Sequence, residues 1–218
     1  MSELYPILAI ETSGELCSTA LLMDDKSFVE LNFLQKHIHS RKLIEMTDTV
    51  LRNGDIDAPK LKAIAVSMGP GSFTGLRIGL AAAKGIAFGA SLPIIPVPTF
   101  DAFAYQISGY LQDGVDFSIA FSANIEEVYF ARYKKQKNGL QAVEELKLVS
   151  KSELENPVYS SGNIFGKVDN VSFINNPSGP TAKSVGDWAN IFGQDLLTSD
   201  YDYLEPNYFK KFIVKAKK

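Results

Sequence analysis

Between Ala65 and Gly89 the chain reads AVSMGPGSFTGLRIGLAAAKGIAFG, and no other stretch restricts the fold as much. Residues 61–67 form an apolar run with the composition of a buried strand. Gly69, Pro70 and Gly71 then impose a turn, and a helical run rich in Gly and Ala follows. Glycine permits a sharp turn and a close backbone approach. A glycine turn between strand and helix can also cradle an anion on the amides of the helix N-terminus. The sharper phosphate motifs are absent. No Gly-Lys-Ser/Thr closes the turn, and Gly69, Gly71, Gly75 and Gly79 lack the spacing of a dinucleotide fingerprint. Gly71, Gly75 and Gly79 recur every four residues, and Ala82 and Ala83 continue that face. The favoured reading is a slim helix face that admits a second helix, within the fold or in another subunit. Phosphate binding is the alternative.

At 218 residues, 45% of them hydrophobic, the chain can bury the core of one large domain or two small lobes. A net charge of -3 gives no global footprint for nucleic acid or an anionic membrane. Cys17 is the single cysteine, which excludes an intramolecular disulfide and a cysteine metal cluster. The start, MSELYPILAIETS, lacks the basic segment and cleavage site of a secretory leader. The most apolar long window, residues 78–97, contains Lys84, Gly85, Gly89 and Pro93 and reads as helix, turn and strand. A soluble, cytoplasmic protein is expected.

Three strands open the chain, over residues 6–10, 17–23 and 28–33. The first hairpin, Glu11-Thr12-Ser13-Gly14-Glu15, is lined by small hydroxyls that suit either a phosphate or an ordinary turn. Residues 40–53 make an amphipathic helix with Leu43, Ile44, Thr47, Val50 and Leu51 on one face, Ser40 as N-cap and Gly54 as C-cap. His37 and His39, the two histidines, precede it; with no third His they read as a solvated loop. Strands over 61–67 and 92–97 flank a central helix over 74–89, and a further helix follows over 99–111. Residues 117–121, 128–134 and 140–149 then give three more strands, so the opening pattern repeats. Short strand candidates at 158–160 and 171–174 precede a helix over 182–192, and a lysine-rich run ends the chain. The fold class is therefore α/β, with duplicated mixed sheets flanked by helices. Its expected lobes are residues 1–112 and 113–218.

ILAIETSGELCSTALL, AVSMGPGSFTGLRIGLAAAKGIAFG and LPIIPVPTFDAFA together resemble the bacterial TsaB (YeaZ) family. EEVYFARY and LEPNYFKKF are similar to family segments more weakly. The resemblance implies the two-lobed actin/hexokinase/Hsp70 (ASKHA) fold around a nucleotide cleft. It also implies a place in the machinery that makes threonylcarbamoyladenosine next to the anticodon of tRNA. The catalytic relative TsaD carries a His-x-x-x-His metal motif, and Thr99 and Phe103 fall at its two histidines. The second hairpin, Ser122 to Glu127, has no glycine with which to approach a phosphate. Glu11, Thr12 and Ser13 would then be a vestigial nucleotide site, with no catalytic or metal-binding residue expected.

The expectation is a non-catalytic subunit that heterodimerises with TsaD, is joined by the ATPase TsaE, and homodimerises when alone. Its partner face would comprise Leu43, Thr47, Val50, Gly71, Gly75, Gly79, Ala82 and Ala83. A Gly79→Leu change should abolish pairing without unfolding the chain. No tightly bound cofactor is expected, ATP and Mg²⁺ being used by partner subunits, and tRNA is bound by the complex. The alternatives are an active ATP-dependent phosphotransferase using Glu11, Thr12 and Ser13, a protease or regulator acting on TsaD, and a tRNA-binding module built on the lysine tail.

Overall fold

The computed structural model describes residues 4–137, 139–154, 158–161, 173–176 and 179–208. In chain order come β1 (Ile7–Glu11), β2 (Leu16–Leu22), β3 (Phe28–Leu34), α1 (His39–Asn53), β4 (Ala63–Ser67), α2 (Phe73–Ala90), β5 (Ile94–Val97) and α3 (Thr99–Ser108). The second half contributes β6 (Asp116–Ser122), β7 (Glu127–Gln136), β8 (Gly139–Ser150), β9 (Val158–Ser161), β10 (Phe173–Asn176) and α4 (Ala182–Phe192).

One sheet has the order β3-β2-β1-β4-β5, and the other, read from its far edge, repeats it as β8-β7-β6-β9-β10. In each, the first strand pairs antiparallel with the second and parallel with the fourth element of the sheet. This is the duplicated mixed sheet that the repeated strand pattern predicts.

Strands β1 and β2 are buried along their whole length because helices cover both faces. Successive side chains alternate across a strand. Leu8, Ile10, Leu21, Ile64 and Val66 therefore meet Leu43 and Val50 of α1 and Leu80 and Ala83 of α2. Ile7, Ala9, Ala20 and Ala65 meet Val185, Trp188 and Ala189 of α4 on the opposite face. Each fully buried Leu, Ile or Val contributes about 1.5–3 kcal/mol. The aromatic face of α3, Phe100 and Phe103, packs instead on Phe117, Phe121 and Tyr133 of the second sheet.

That arrangement departs from an even division at residue 112. Helix α4 returns to the first sheet, where the Ala182 amide donates to Ser18 Oγ at 2.8 Å and the Lys183 amide to Glu30 Oε1 at 2.7 Å. Thr198 then exchanges backbone hydrogen bonds with Ile94 at the outer edge of β5, and the Asn207 amide donates to the Met68 carbonyl at 2.7 Å. The physical reason is that the second apolar face of β1 and β2 needs a cover, which the apolar stripe of α4 supplies.

Element ends differ by small amounts. Helix α1 starts at His39 with Ile38 at its N-cap, so Ser40 lies inside the first turn. Helix α3 stops at Ser108, where Gly109 follows. Ser72 caps α2, accepting from the Gly75 amide at 3.2 Å. Strand β10 overlaps the expected 171–174 segment only from Phe173, and the lysine run after Tyr208 lies outside the described residues.

Candidate functional site

The site is organised by the hairpin between β1 and β2 and by the first half of α2. Glu11 ends β1 and is 1% exposed. Its carboxylate accepts from Ser67 Oγ at the end of β4 and from the Ser13 amide, both in short contacts. Burial nevertheless dominates, pushing its pKa up to about 7, with the Ser13 and Ser67 hydrogen bonds only moderating the rise. Thr12 Oγ1 donates to the Gly75 carbonyl at 2.8 Å, and the Ser72 amide donates to the Ser13 carbonyl at 2.7 Å. The hairpin is thereby fastened to α2.

The glycines make this fastening sterically possible. A Cβ on Gly71 would lie within 3.0 Å of the Ser13 backbone. One on Gly75 would collide with the Thr12 carbonyl, and one on Gly79 with Thr12 Oγ1, also within 3.0 Å. The four-residue stripe is thus filled from inside the chain. Leu43, Thr47, Val50 and Ala83 are buried as well, Ala82 is half-buried, and only Gly71 is exposed. The expected partner face is corrected on that ground: most of it is core, and Gly79→Leu would disrupt the fold.

A cleft of about 810 Å³ opens beside the hairpin. Gly14, Lys36, His37 and Thr74 line one side, and Phe121, Ser122 and Tyr129 line the other. Thr12 is fully buried and Ser13 nearly so. Their polar groups are largely engaged by α2 and by Glu11. Across the cleft, Asn124 Oδ1 accepts from the Glu126 amide at 2.8 Å and the Glu127 amide at 2.7 Å. Those amides therefore do not face a phosphate. The Ala123 and Asn124 amides likewise donate to the Glu127 carbonyl, so the second hairpin keeps these amides within its own turn.

The two positions that the resemblance aligns with metal-binding histidines are both structural. Thr99 Oγ1 accepts from the Gly69 amide at 2.9 Å, and Phe103 is fully buried against Phe121. The histidine pair divides. His37 is exposed with φ 59°, whereas His39 is buried with Nε2–H donating to the Leu16 carbonyl at 3.1 Å. Burial pushes the His39 pKa down, so this ring is a neutral brace rather than part of a solvated loop.

A family model described as TsaD, tRNA N6-adenosine threonylcarbamoyltransferase, matches residues 34–183, more than half of the chain. The chain belongs to that family. Two similar family proteins are both named tRNA threonylcarbamoyladenosine biosynthesis protein TsaB. The one from Haemophilus influenzae is 37% identical over 131 residues, 60% of this chain and 55% of the relative. The one from Escherichia coli is 35% identical over 149 residues, 68% of this chain and 63% of the relative. The chain spans less than two thirds of the length of these curated relatives. The solved structure of YeaZ from Pseudomonas aeruginosa matches with a TM-score of 0.77 at 22% identity, over 93% of this chain and 99% of that one. It shows a shared fold across both lobes.

Sequence reasoning missed Ser67, Asn124 and a second pair of glycines. A serine closing an otherwise apolar strand was the available signal for Ser67. An Asn before two glutamates was the signal for the Asn124 turn. Gly85 and Gly89 stand one turn apart on the outer face of α2, and a Cβ at either would meet none of the described residues within 4 Å. Between them Phe88 is 78% exposed, and Ile44 of the neighbouring α1 is 61% exposed.

Proposed function

We propose that this chain is a non-catalytic subunit that heterodimerises with a TsaD-type enzyme and supports transfer of a threonylcarbamoyl group to the adenosine next to the anticodon in tRNA. The single observation that carries the partner role is the outer face of α2. A glycine inside an exposed helix costs about 1 kcal/mol relative to alanine, and among the described residues neither Gly85 nor Gly89 has a neighbour that needs the space. Close approach by another helix supplies the reason, with Phe88 and Ile44 as its apolar anchors. Large apolar side chains exposed on two neighbouring helices suit an interaction surface.

The same surface serves a homodimer when the chain is alone, and an ATPase of the TsaE kind joins the pair. ATP and Mg²⁺ act on the partner subunits, and the complex holds the tRNA in a cytoplasmic setting. Among the described residues no helix is long and apolar enough to cross a membrane. The committed hairpins, with Glu11 bound to Ser67 and Ser13 and the Glu126 and Glu127 amides bound to Asn124, support the non-catalytic reading over a phosphotransferase. Cys17 is fully buried and its thiol is pushed up to about 11, first by burial and then by the nearby Glu11. A cysteine-protease reading therefore has no accessible thiolate.

The test is light scattering on size-exclusion fractions of the chain mixed with TsaD from the same organism. A 1:1 complex, lost in both Phe88→Asp and Gly85→Leu while the circular dichroism melt is preserved, is the expected result. Normal pairing by both variants would rule out this face. Micromolar Mg–ATP binding and turnover by the chain alone would replace the subunit reading with the phosphotransferase.

A further inference from the structure

The outer face of α2 also carries two cations, Arg77 and, one turn before Phe88 on the same stripe, Lys84. Arg77 lies over the Phe73 ring, its Cζ 3.8 Å from the centroid, and 5.5 Å from the centroid of Tyr208. Its Nε donates to the Tyr208 hydroxyl at 2.7 Å, and the two rings stand 4.9 Å apart. These contacts fix the guanidinium while leaving its terminal N–H groups for another acceptor. Seven residues on, Lys84 projects from the same side of the helix, roughly 10 Å along its axis.

Arg77 and Lys84 line a cavity of about 270 Å³ whose wall is the returning segment Leu204, Glu205, Pro206 and Tyr208. Neither cation forms an ion pair among the described residues, although the exposed Glu205 borders the same cavity. Immediately after Tyr208 the sequence runs FKKFIVKAKK, five lysines with no acidic residue. Two unpaired cations spaced along a helix suit successive phosphates of a polyanion, and a flat guanidinium suits bidentate contact with one of them.

We infer that Arg77 and Lys84 form a phosphodiester-binding site through which this chain itself contacts the RNA backbone. The choice of RNA rests on the proposed role in tRNA modification; the geometry alone specifies phosphate. Tyr208 and Phe73 are positioning residues, holding Arg77 in place from two sides.

The experiment measures binding of unmodified tRNA by fluorescence anisotropy over a salt series. It uses the chain alone and, separately, its complex with the TsaD-type partner. The double variant Arg77→Gln/Lys84→Gln is compared with the control Lys26→Gln/Lys60→Gln, which removes the same charge elsewhere. The expected result is about tenfold weaker binding for the first pair, with a salt slope shallower by about 1 to 2, and no such change for the control. Equal losses in both pairs would reduce the effect to net charge and overturn the site. So would unchanged binding by Arg77→Gln/Lys84→Gln, or no measurable binding by the wild-type chain at low salt. Loss of partner pairing with unchanged tRNA affinity would make the surface a protein contact and also overturn it. Failure of the wild-type chain to pair with the enzyme counts against the subunit role, while the tRNA titration of the chain alone still decides this site.

Discussion

The two halves of α2 carry glycines of the same spacing and opposite meaning. In the first half, Gly75 and Gly79, with Gly71 in the turn just before, press against Ser13 and Thr12, so the bare backbone is required by the chain's own hairpin. In the second half, Gly85 and Gly89 face no described residue. A small-residue stripe therefore reports close approach without saying by what. The neighbour across each stripe, a hairpin in one case and solvent in the other, separates fold maintenance from partner binding.

The largest effect is expected in the locked half. Gly75→Leu would drive a side chain into the Thr12 backbone and should cost more than about 3 kcal/mol, since overpacking against backbone has little room to relax. Urea unfolding measures it, and a stable, cooperative variant would break the distinction. The corresponding Gly85→Leu change should leave the urea midpoint unchanged or raise it.

Next comes Glu11, which lies beneath the same lock. Its folded pKa, about 7, exceeds the 4.5 of an ordinary Glu, so the folded state binds the extra proton. This contribution to stability is fully present below pH 4.5 and is lost as pH rises to about 7. A rise of that size corresponds to roughly 3 kcal/mol. Glu11→Gln keeps an acceptor for the Ser13 amide and a polar partner for Ser67. It should remove that decline and flatten stability between pH 5 and 8 in denaturant titrations; an unchanged slope would show that Glu11 is not the titrating group.

Thr12→Val sharpens the comparison at the level of one hydrogen bond. It deletes the donor to the Gly75 carbonyl at 2.8 Å while nearly keeping the side-chain shape. A loss of about 1 kcal/mol is expected in the same unfolding assay. The smallest effect carries the opposite sign. Gly89→Ala, on the open half, should stabilise the isolated chain by up to about 1 kcal/mol through helix propensity. Destabilisation there would reveal an intrachain contact. A weakened heterodimer alongside the stabilised monomer would show that Gly89 is kept small for the partner.

Much of the architecture was legible in the residue order. Short strand-like runs, alternating at residues 28–33 and 117–121, gave the two sets of three opening strands, and the helix over 182–192 was read with the bounds it has in the structure. The GPGSFTGLRIG string, together with ILAIETSGELCSTALL before it and LPIIPVPTFDAFA after it, was enough to anticipate the family. The site was less legible. Glu11, Thr12 and Ser13 were found, but as a carboxylate and two hydroxyls that suited either a vestigial phosphate site or an ordinary turn; in the structure they are largely engaged by α2, Ser67 and one another. His37 and His39 looked alike in sequence and differ because one side chain turns onto the Leu16 carbonyl.

The sequence by itself determined local conformation, because hydrophobic period, glycine turns and caps act within a few residues of the chain. It also determined the repeat of the strand pattern. Only the tertiary structure decided which glycine stripe was already filled and that α4 would return from the second half to cover β1 and β2. It also brought Tyr208 onto Arg77, 131 positions away. These are contacts between segments remote in sequence. Helical periodicity specifies the side of α2 on which a residue lies, but the packing of the whole chain decides what stands against that side.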